Sequence, residues 1–524
     1  MADIKDLMAR VIDDLYAGLT GGDAEIPLPA NTLINWIQPG IPLHPSEFDF
    51  AVAGPYAGPT PLTMGFFREL VSVIQGDDPK MSREEVLKQA KLAYQQHLLG
   101  TWENWSRLVD FIPLPAPGEG QSGWTSRNKQ GRNKHTQVVY AQSGRAVSQV
   151  YADALNLCMV ADDEISDEKK EIITRMRRLL QEEVTVEDWI SGEKRIEIRQ
   201  SQIMKAYDEY QTRYENAVID YGQRLARSQN GSAADLVEWS RSGGIYRARA
   251  IKAWRDWESL GSKNDVERAQ AVLDQLLGTS AVQWVADLRS DVEQARNATQ
   301  GVFGYPFFPA SVVPGGFARS DSWTTYENHE LHRSSQESSI SRRGSASLGF
   351  SLGLVNFTGG GGGGRREEEF KIQDNRFGMK FQYTQVEVVR PAFNPGFFSS
   401  QSWKLKHEFT DAYRTDQLSD GSEKPTGALI AYPSKALFVR DLTFYSSDLA
   451  SYMKTKTEDI QAGAFVGIGP ILLGGGYQQS SFNRESNLEI TDASVRIPGL
   501  QLVAFVSTLL PAAPNPSPDI KNWL

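Results

Sequence analysis

Few side chains in this sequence stand at the spacings that catalysis or metal binding needs. His329 and His332, in Asn-His-Glu-Leu-His, are the close pair among six histidines. A zinc pair needs both imidazoles on one face, as His-Glu-x-x-His provides on a helix; in a strand these two point to opposite sides. Asp162, Asp163, Glu164, Asp167 and Glu168 form an acidic run, but the spacing and the missing glycine exclude a calcium loop. Ser166 as a helix cap, with acids in the first turn, accounts for that run. Cys158 is the single cysteine, so no intrachain disulfide can form. It falls in a helical pattern with Leu155 and Met159 and reads as a small buried apolar residue rather than a nucleophile. No Gly-x-Ser-x-Gly elbow and no Gly-x-x-x-x-Gly-Lys-Ser/Thr loop occurs, and Gly467-Ile-Gly469-Pro-Ile-Leu lacks the third glycine of a dinucleotide turn. The sequence therefore predicts a non-enzymatic protein with no cofactor and no metal. An enzyme with dispersed site residues stays open as a third reading.

Two glycine-rich apolar segments carry the stronger signal. In the first, Leu348, Phe350, Leu352 and Leu354 occupy one face of a strand, while Ser347, Gly349, Ser351 and Gly353 occupy the other. Six glycines follow, Gly359 to Gly364, which cost much conformational entropy to order and read as a hinge or tip. In the second, Phe465, Val466 and Ile468 lead to Gly474-Gly475-Gly476, with Gly474 and Gly476 as hinge positions and Pro470 interrupting the run. The two segments read as corresponding hairpins of one sheet. Three settings suit a face of large apolar groups backed by tiny ones. One is a soluble sheet that another element approaches closely, and a second is a face stacked on its copy in an assembly. The third is a hairpin entering lipid within a closed barrel, which one chain cannot close alone because unpaired amides are costly in hydrocarbon.

The elements that must carry these segments differ along the chain. Ile4, Leu7, Met8, Val11, Ile12 and Leu15 predict a short amphipathic helix. Residues 26–62, rich in proline and aromatics, read as extended, irregular chain over a core. Ser82 and Glu85 open a helix to about Leu99. From 136 to 300 the pattern is almost wholly helical. Ile203, Tyr207, Tyr210, Tyr214, Ala217, Tyr221 and Leu225 alternate spacings of four and three, the seam of a long antiparallel hairpin or bundle. A second long helix is expected over 265–299. Beyond Gly301 the chain is β-like: Phe377, Met379, Phe381 and Tyr383 alternate with polar residues, then the phase shifts to Val386 and Val388, as a bulge near Gln385 would produce. A proline-rich arm, 511–524, ends in Trp523 and Leu524, an aromatic tip fit for docking on its own domain or on a neighbour.

With 524 residues, 40% hydrophobic and 23% charged, the chain has the composition of a globular protein of several domains. A net charge of −10 argues against nucleic acid as a partner, and the short basic loop Arg127, Lys129, Arg132 and Lys134 reads as a solvated connector. The acidic N-terminus lacks a secretory signal pattern, and one cysteine suits a reducing cytoplasm as the place of synthesis, with release or membrane association later. The expected fold is α+β: a mostly helical region with long antiparallel helices, then a β-rich, sandwich-like domain with glycine-rich hairpins. The expected divisions are 1–118, 136–300, 301–510 and the arm. The sharp functional expectation is a membrane-interacting, pore-forming-like homo-oligomer. Its rival is a soluble assembly subunit joined through glycine-rich faces and the arm.

Overall fold

The computed structural model describes the chain apart from residues 1, 4–7, 9–10, 13–31, 114–125, 128–132, 135–136, 140–143, 162–166, 188–193, 231–232, 278–280, 300–305, 329–353, 358–364, 369–370, 373–377, 423–424, 462–464 and 475–487. Long strands with apolar residues on both faces dictate the architecture, because each face must then be covered. The strands of the two larger sheets are β1 (Thr32–Leu43), β2 (Gln137–Val139), β3 (Ser311–Val313), β4 (Thr324–Asn328), β5 (Leu354–Phe357), β6 (Arg365–Glu368), β7 (Gly378–Val389), β8 (Ala431–Tyr445), β9 (Phe465–Ile468), β10 (Ile471–Gly474), β11 (Glu489–Ile490) and β12 (Ser494–Leu509). The large sheet runs β4-β7-β8-β12-β1-β2, with β3 beside β7 and β11 beside β12; only the β1–β2 pair is parallel. A smaller antiparallel sheet runs β6-β5-β9-β10.

The longer helices are α1 (Met64–Asp77), α2 (Arg83–Leu108), α3 (Val147–Asn156), α4 (Asp167–Leu180), α5 (Gln202–Asn230), α6 (Ala233–Ser259), α7 (Lys263–Leu277), α8 (Ala281–Thr299) and α9 (Ser447–Gln461). One face of the large sheet presents Ala436, Phe438, Leu502 and Phe505 to Tyr94, Leu98, Trp102 and Trp105 of α2. Phe438 sits at the middle of this layer, its ring centroid 4.7 Å from Phe317 and 5.4 Å from Phe48. The other face presents Leu437, Val439, Phe444 and Val503 to the small sheet, to Leu449 and Met453 of α9, and to Met8, Val11 and Ile12. A third core gathers α3, α8, Phe397 and Trp403 beyond the end of the strands, where Trp403 stacks on Phe397 at 4.1 Å. The chain is α+β.

Several expectations change. Residues 32–43 form β1, a full strand between β12 and β2, rather than irregular chain. Pro39 and Gly40 are absorbed by a register irregularity between Trp36 and Ile41, and Pro42 pairs in register with Gln501. Hence the large sheet draws strands from the first, second and third sequence divisions alike. The 136–300 stretch is not wholly helical: Gln181–Glu187 and Lys194–Gln200 pair as an antiparallel hairpin. The predicted helix 265–299 is two helices, α7 and α8, and α2 continues past Leu99 to Leu108 so that Trp102 and Trp105 ride on it. No bulge lies at Gln385, which pairs in unbroken register with Leu437; the irregularity falls between Lys380 and Gln382. Val386 and Val388 simply lie on the face that α2 covers, while Met379, Phe381 and Tyr383 lie on the other.

Phe438→Ala should lower unfolding stability by about 3–5 kcal/mol in urea denaturation, since its ring fills a rigid aromatic layer and leaves a cavity behind.

Candidate functional site

The two glycine-rich segments meet strand to strand. β5 pairs with β9 in the register Leu354↔Ile468 to Phe357↔Phe465, and β9 turns into β10 through Gly469 and Pro470, so Pro470 marks the turn and not a break in a strand. Gly469 has φ of 54°, a conformation glycine adopts without penalty. The described apolar members are fully covered: Leu354, Ile468 and Leu473 are 0% exposed and Val466 is 1% exposed. Gly474 lies under α9, where a Cβ would stand 2.8 Å from Ile460 Cδ1. Phe465 belongs to β9. Leu348, Phe350, Leu352, Gly359, Gly364 and Gly476 lie outside the described residues, as do His329, His332, Asp162, Asp163, Glu164 and Ser166.

The small sheet rests on the large one through side chains and one polar clamp. The buried Gln501 of β12 accepts from Leu472 N at 3.0 Å and donates to Leu472 O at 2.8 Å, which satisfies the inward backbone edge of β10. Beside the clamp, the backbone of β1 comes so close that a Cβ on Gly40 would stand 2.5 Å from Pro470 O. Trp523 and Leu524 dock on their own chain. Leu524 exchanges backbone hydrogen bonds of 2.8 and 3.0 Å with Val160, and the Lys404 ammonium lies 4.7 Å from the Trp523 ring centre.

A second arrangement escaped sequence reasoning. On α5, one face carries the predicted tyrosine seam, which packs on tryptophans of α6: Tyr207 on Trp257 at 5.2 Å, Tyr214 on Trp254 at 5.1 Å and Tyr221 on Trp239 at 5.6 Å. At about 100° per residue, Asp208, Thr212, Glu215, Ile219 and Gln223 form a stripe on the opposite face. None of these five is more than 7% exposed. This stripe lies on β7 and β8. Tyr383 donates to Gln223 Oε1 at 3.1 Å, Gln385 N donates to Asn216 Oδ1 at 3.3 Å, and Gln385 Nε2 donates to Glu215 Oε2 at 2.9 Å. The Lys435 ammonium pairs with Glu215 and lies 3.2 Å from Glu387, its neighbour across the strands. At the N-terminal end, Gln200 donates to Asp208 Oδ2 at 2.7 Å.

Burial sets the electrostatics. It pushes the Glu387 carboxyl up to about 8 against the pull of Lys435, and Asp208 up to about 7 against the hydrogen bond from Gln200. Burial alone would lower Lys435, but Glu215 and Glu387 outweigh it and hold the ammonium above its ordinary range. Gln385 Oε1 and Gln223 Nε2 are buried with no hydrogen-bond partner among the described residues. A separate buried pair, Asp49 with Arg319, has its carboxyl pushed up to about 7 by burial and ties the short helices Pro45–Phe48 and Asp49–Ala53 to the chain before β4. Cys158 begins a short strand, Cys158–Val160, rather than extending α3; it is buried and its thiol is pushed up by burial. No metal-ligand cluster and no helix long and apolar enough to cross a membrane occur among the described residues.

No protein-family model, no curated protein and no solved structure matches this chain. The reading therefore rests on the geometry alone.

Lys435→Met should cost about 3–5 kcal/mol of stability, because Glu215 loses its buried counter-charge and Glu387 loses its polar neighbour at 3.2 Å. Adding Glu215→Gln should recover part of that loss, and a double-mutant cycle in urea denaturation measures the coupling.

Proposed function

We propose that this is a non-enzymatic, membrane-interacting protein of the pore-forming kind, which self-associates and delivers its glycine-rich hairpins to lipid. One observation carries the reading. The two glycine-rich segments join into a single four-stranded unit, which among the described residues shares no strand pairing with the large sheet. Such a unit can separate from the body without breaking a ladder of the sheet it rests on. Its apolar residues are covered in the resting protomer, so exposure to lipid requires that separation first. Self-association follows from the barrel requirement, since four strands close no barrel and open edges are costly in hydrocarbon.

The burial of Leu354, Val466 and Ile468 also favours the rival reading, in which this sheet is a permanent structural layer of a soluble assembly subunit. The two readings part on lipid. With Cys158 replaced by serine, a Phe350→Cys variant carrying an environment-sensitive dye should shift to the blue on liposomes, in step with release of an encapsulated dye. Gln501→Leu leaves the Leu472 amide and carbonyl unpaired, which should cost about 1–3 kcal/mol of stability and speed the leakage. Oligomers forming without lipid, with no leakage and no blue shift on any liposome, would establish the structural subunit instead.

A further inference from the structure

The interface beneath α5 holds more acid than base. Asp208, Glu215 and Glu387 lie along one buried strip, and Lys435 is the ammonium that touches two of them. If all four ionise, three negative charges face one positive charge, leaving two in excess where water is excluded. The neighbouring bases are otherwise engaged. Lys205 pairs with Glu182 at 3.1 Å on the solvent side, and Arg390 donates to Pro433 O at 2.7 Å and Val109 O at 2.6 Å. The remaining facing groups do not supply charge of the right sign: Tyr432 from β8, Tyr207 from α5 and Glu267 from α7 are neutral or acidic. Polar atoms at the same interface, Gln385 Oε1 and Gln223 Nε2, have no partner among the described residues, so the contact holds little reserve of hydrogen bonding.

We propose that this strip is a proton-operated latch: the α5–α6 hairpin stays docked on the large sheet while two of its three carboxyls carry protons, and loosens when those protons leave. With the Lys435 ammonium paired to Glu215, protons on Glu387 and Asp208 remove the two excess negative charges. The direction follows from linkage. Both carboxyls bind protons more tightly when docked than when free, so docking gains as pH falls below the docked values and weakens as pH rises through about 7 for Asp208 and about 8 for Glu387. Lys435 stays charged throughout this window, since its ammonium is held above the ordinary lysine range. The latch thus opens toward mildly alkaline pH and closes toward acid. It is independent of the lipid reading, because it concerns a helix on a sheet in water.

Hydrogen exchange of the full chain, corrected for the intrinsic dependence on pH, tests the latch. Between pH 6 and pH 9, protection of amides in α5 and at Gln385–Val388 of β7 should fall at least about tenfold, the effect of one pK unit. Protection of Leu500–Val506 in β12 should stay level. In an Asp208→Asn, Glu387→Gln double variant the α5 amides should keep their protection at pH 9. Equal protection of wild-type α5 at both pH values overturns the latch, whatever the variant does. A pH response of the same size in the folded variant overturns it as well.

Discussion

Both faces of β8 and β12 are apolar over most of their length, and this constraint organises the other layers. A strand buried on two sides needs two covers. The chain supplies them from different regions: the aromatic α2 layer on one face, the small sheet with α9 on the other. The tight approach of β1 to Pro470 follows from the same demand, because the second cover must sit close enough to exclude water from Leu437, Val439 and Val503. Where the apolar run on β7 gives out at Gln385 and Glu387, the small sheet is replaced by α5, and the contact turns polar.

That change of cover explains the two-sided character of α5. A helix caught between a sheet and another helix is covered on two sides, so both of its stripes are buried and its flanks, such as Glu209 and Arg213, are left to solvent. One stripe is aromatic and contributes area burial and ring contacts. The other is charged and contributes little net stability, because the desolvation of its carboxylates offsets most of their attraction to Lys435. What the charged stripe does supply is register: Glu215 reaches one ammonium, and Gln223 meets one tyrosine hydroxyl.

Much of this was legible in the residues, and the gaps have physical causes. The tyrosine seam followed from periodicity, and the kinship of the two glycine-rich segments from their shared composition. The charged stripe on α5 did not, because Asp208, Thr212, Glu215 and Gln223 look like a solvated face until a sheet is laid over them. β1 was obscured by Pro39 and Gly40, which break strand propensity but fall at an irregularity in its pairing. The hairpin formed by Gln181–Glu187 and Lys194–Gln200 leaves a period-two trace, since Val184 and Val186 alternate with polar residues, as do Ile196 and Ile198, but helical segments on either side mask the change of period. The division into sequence blocks missed that β1 and β2 join strands from the far end of the chain, since pairing partners leave no local trace.

The place of β1 has a consequence for how the chain comes to be folded. Thr32 pairs with Thr508, so this strand finds its antiparallel neighbour only once the chain as far as Thr508 is available. Until then Ile34 and Trp36 have no ladder to join, and β8 likewise lacks its longest partner. Closure of this sheet is accordingly a late, non-local event with a high loop-closure entropy. The helical hairpin α5–α6, whose contacts are local, can form on the ribosome long before. The nascent protein therefore passes through a state with helices made and strand edges open, the stage at which such a chain most needs protection from its neighbours.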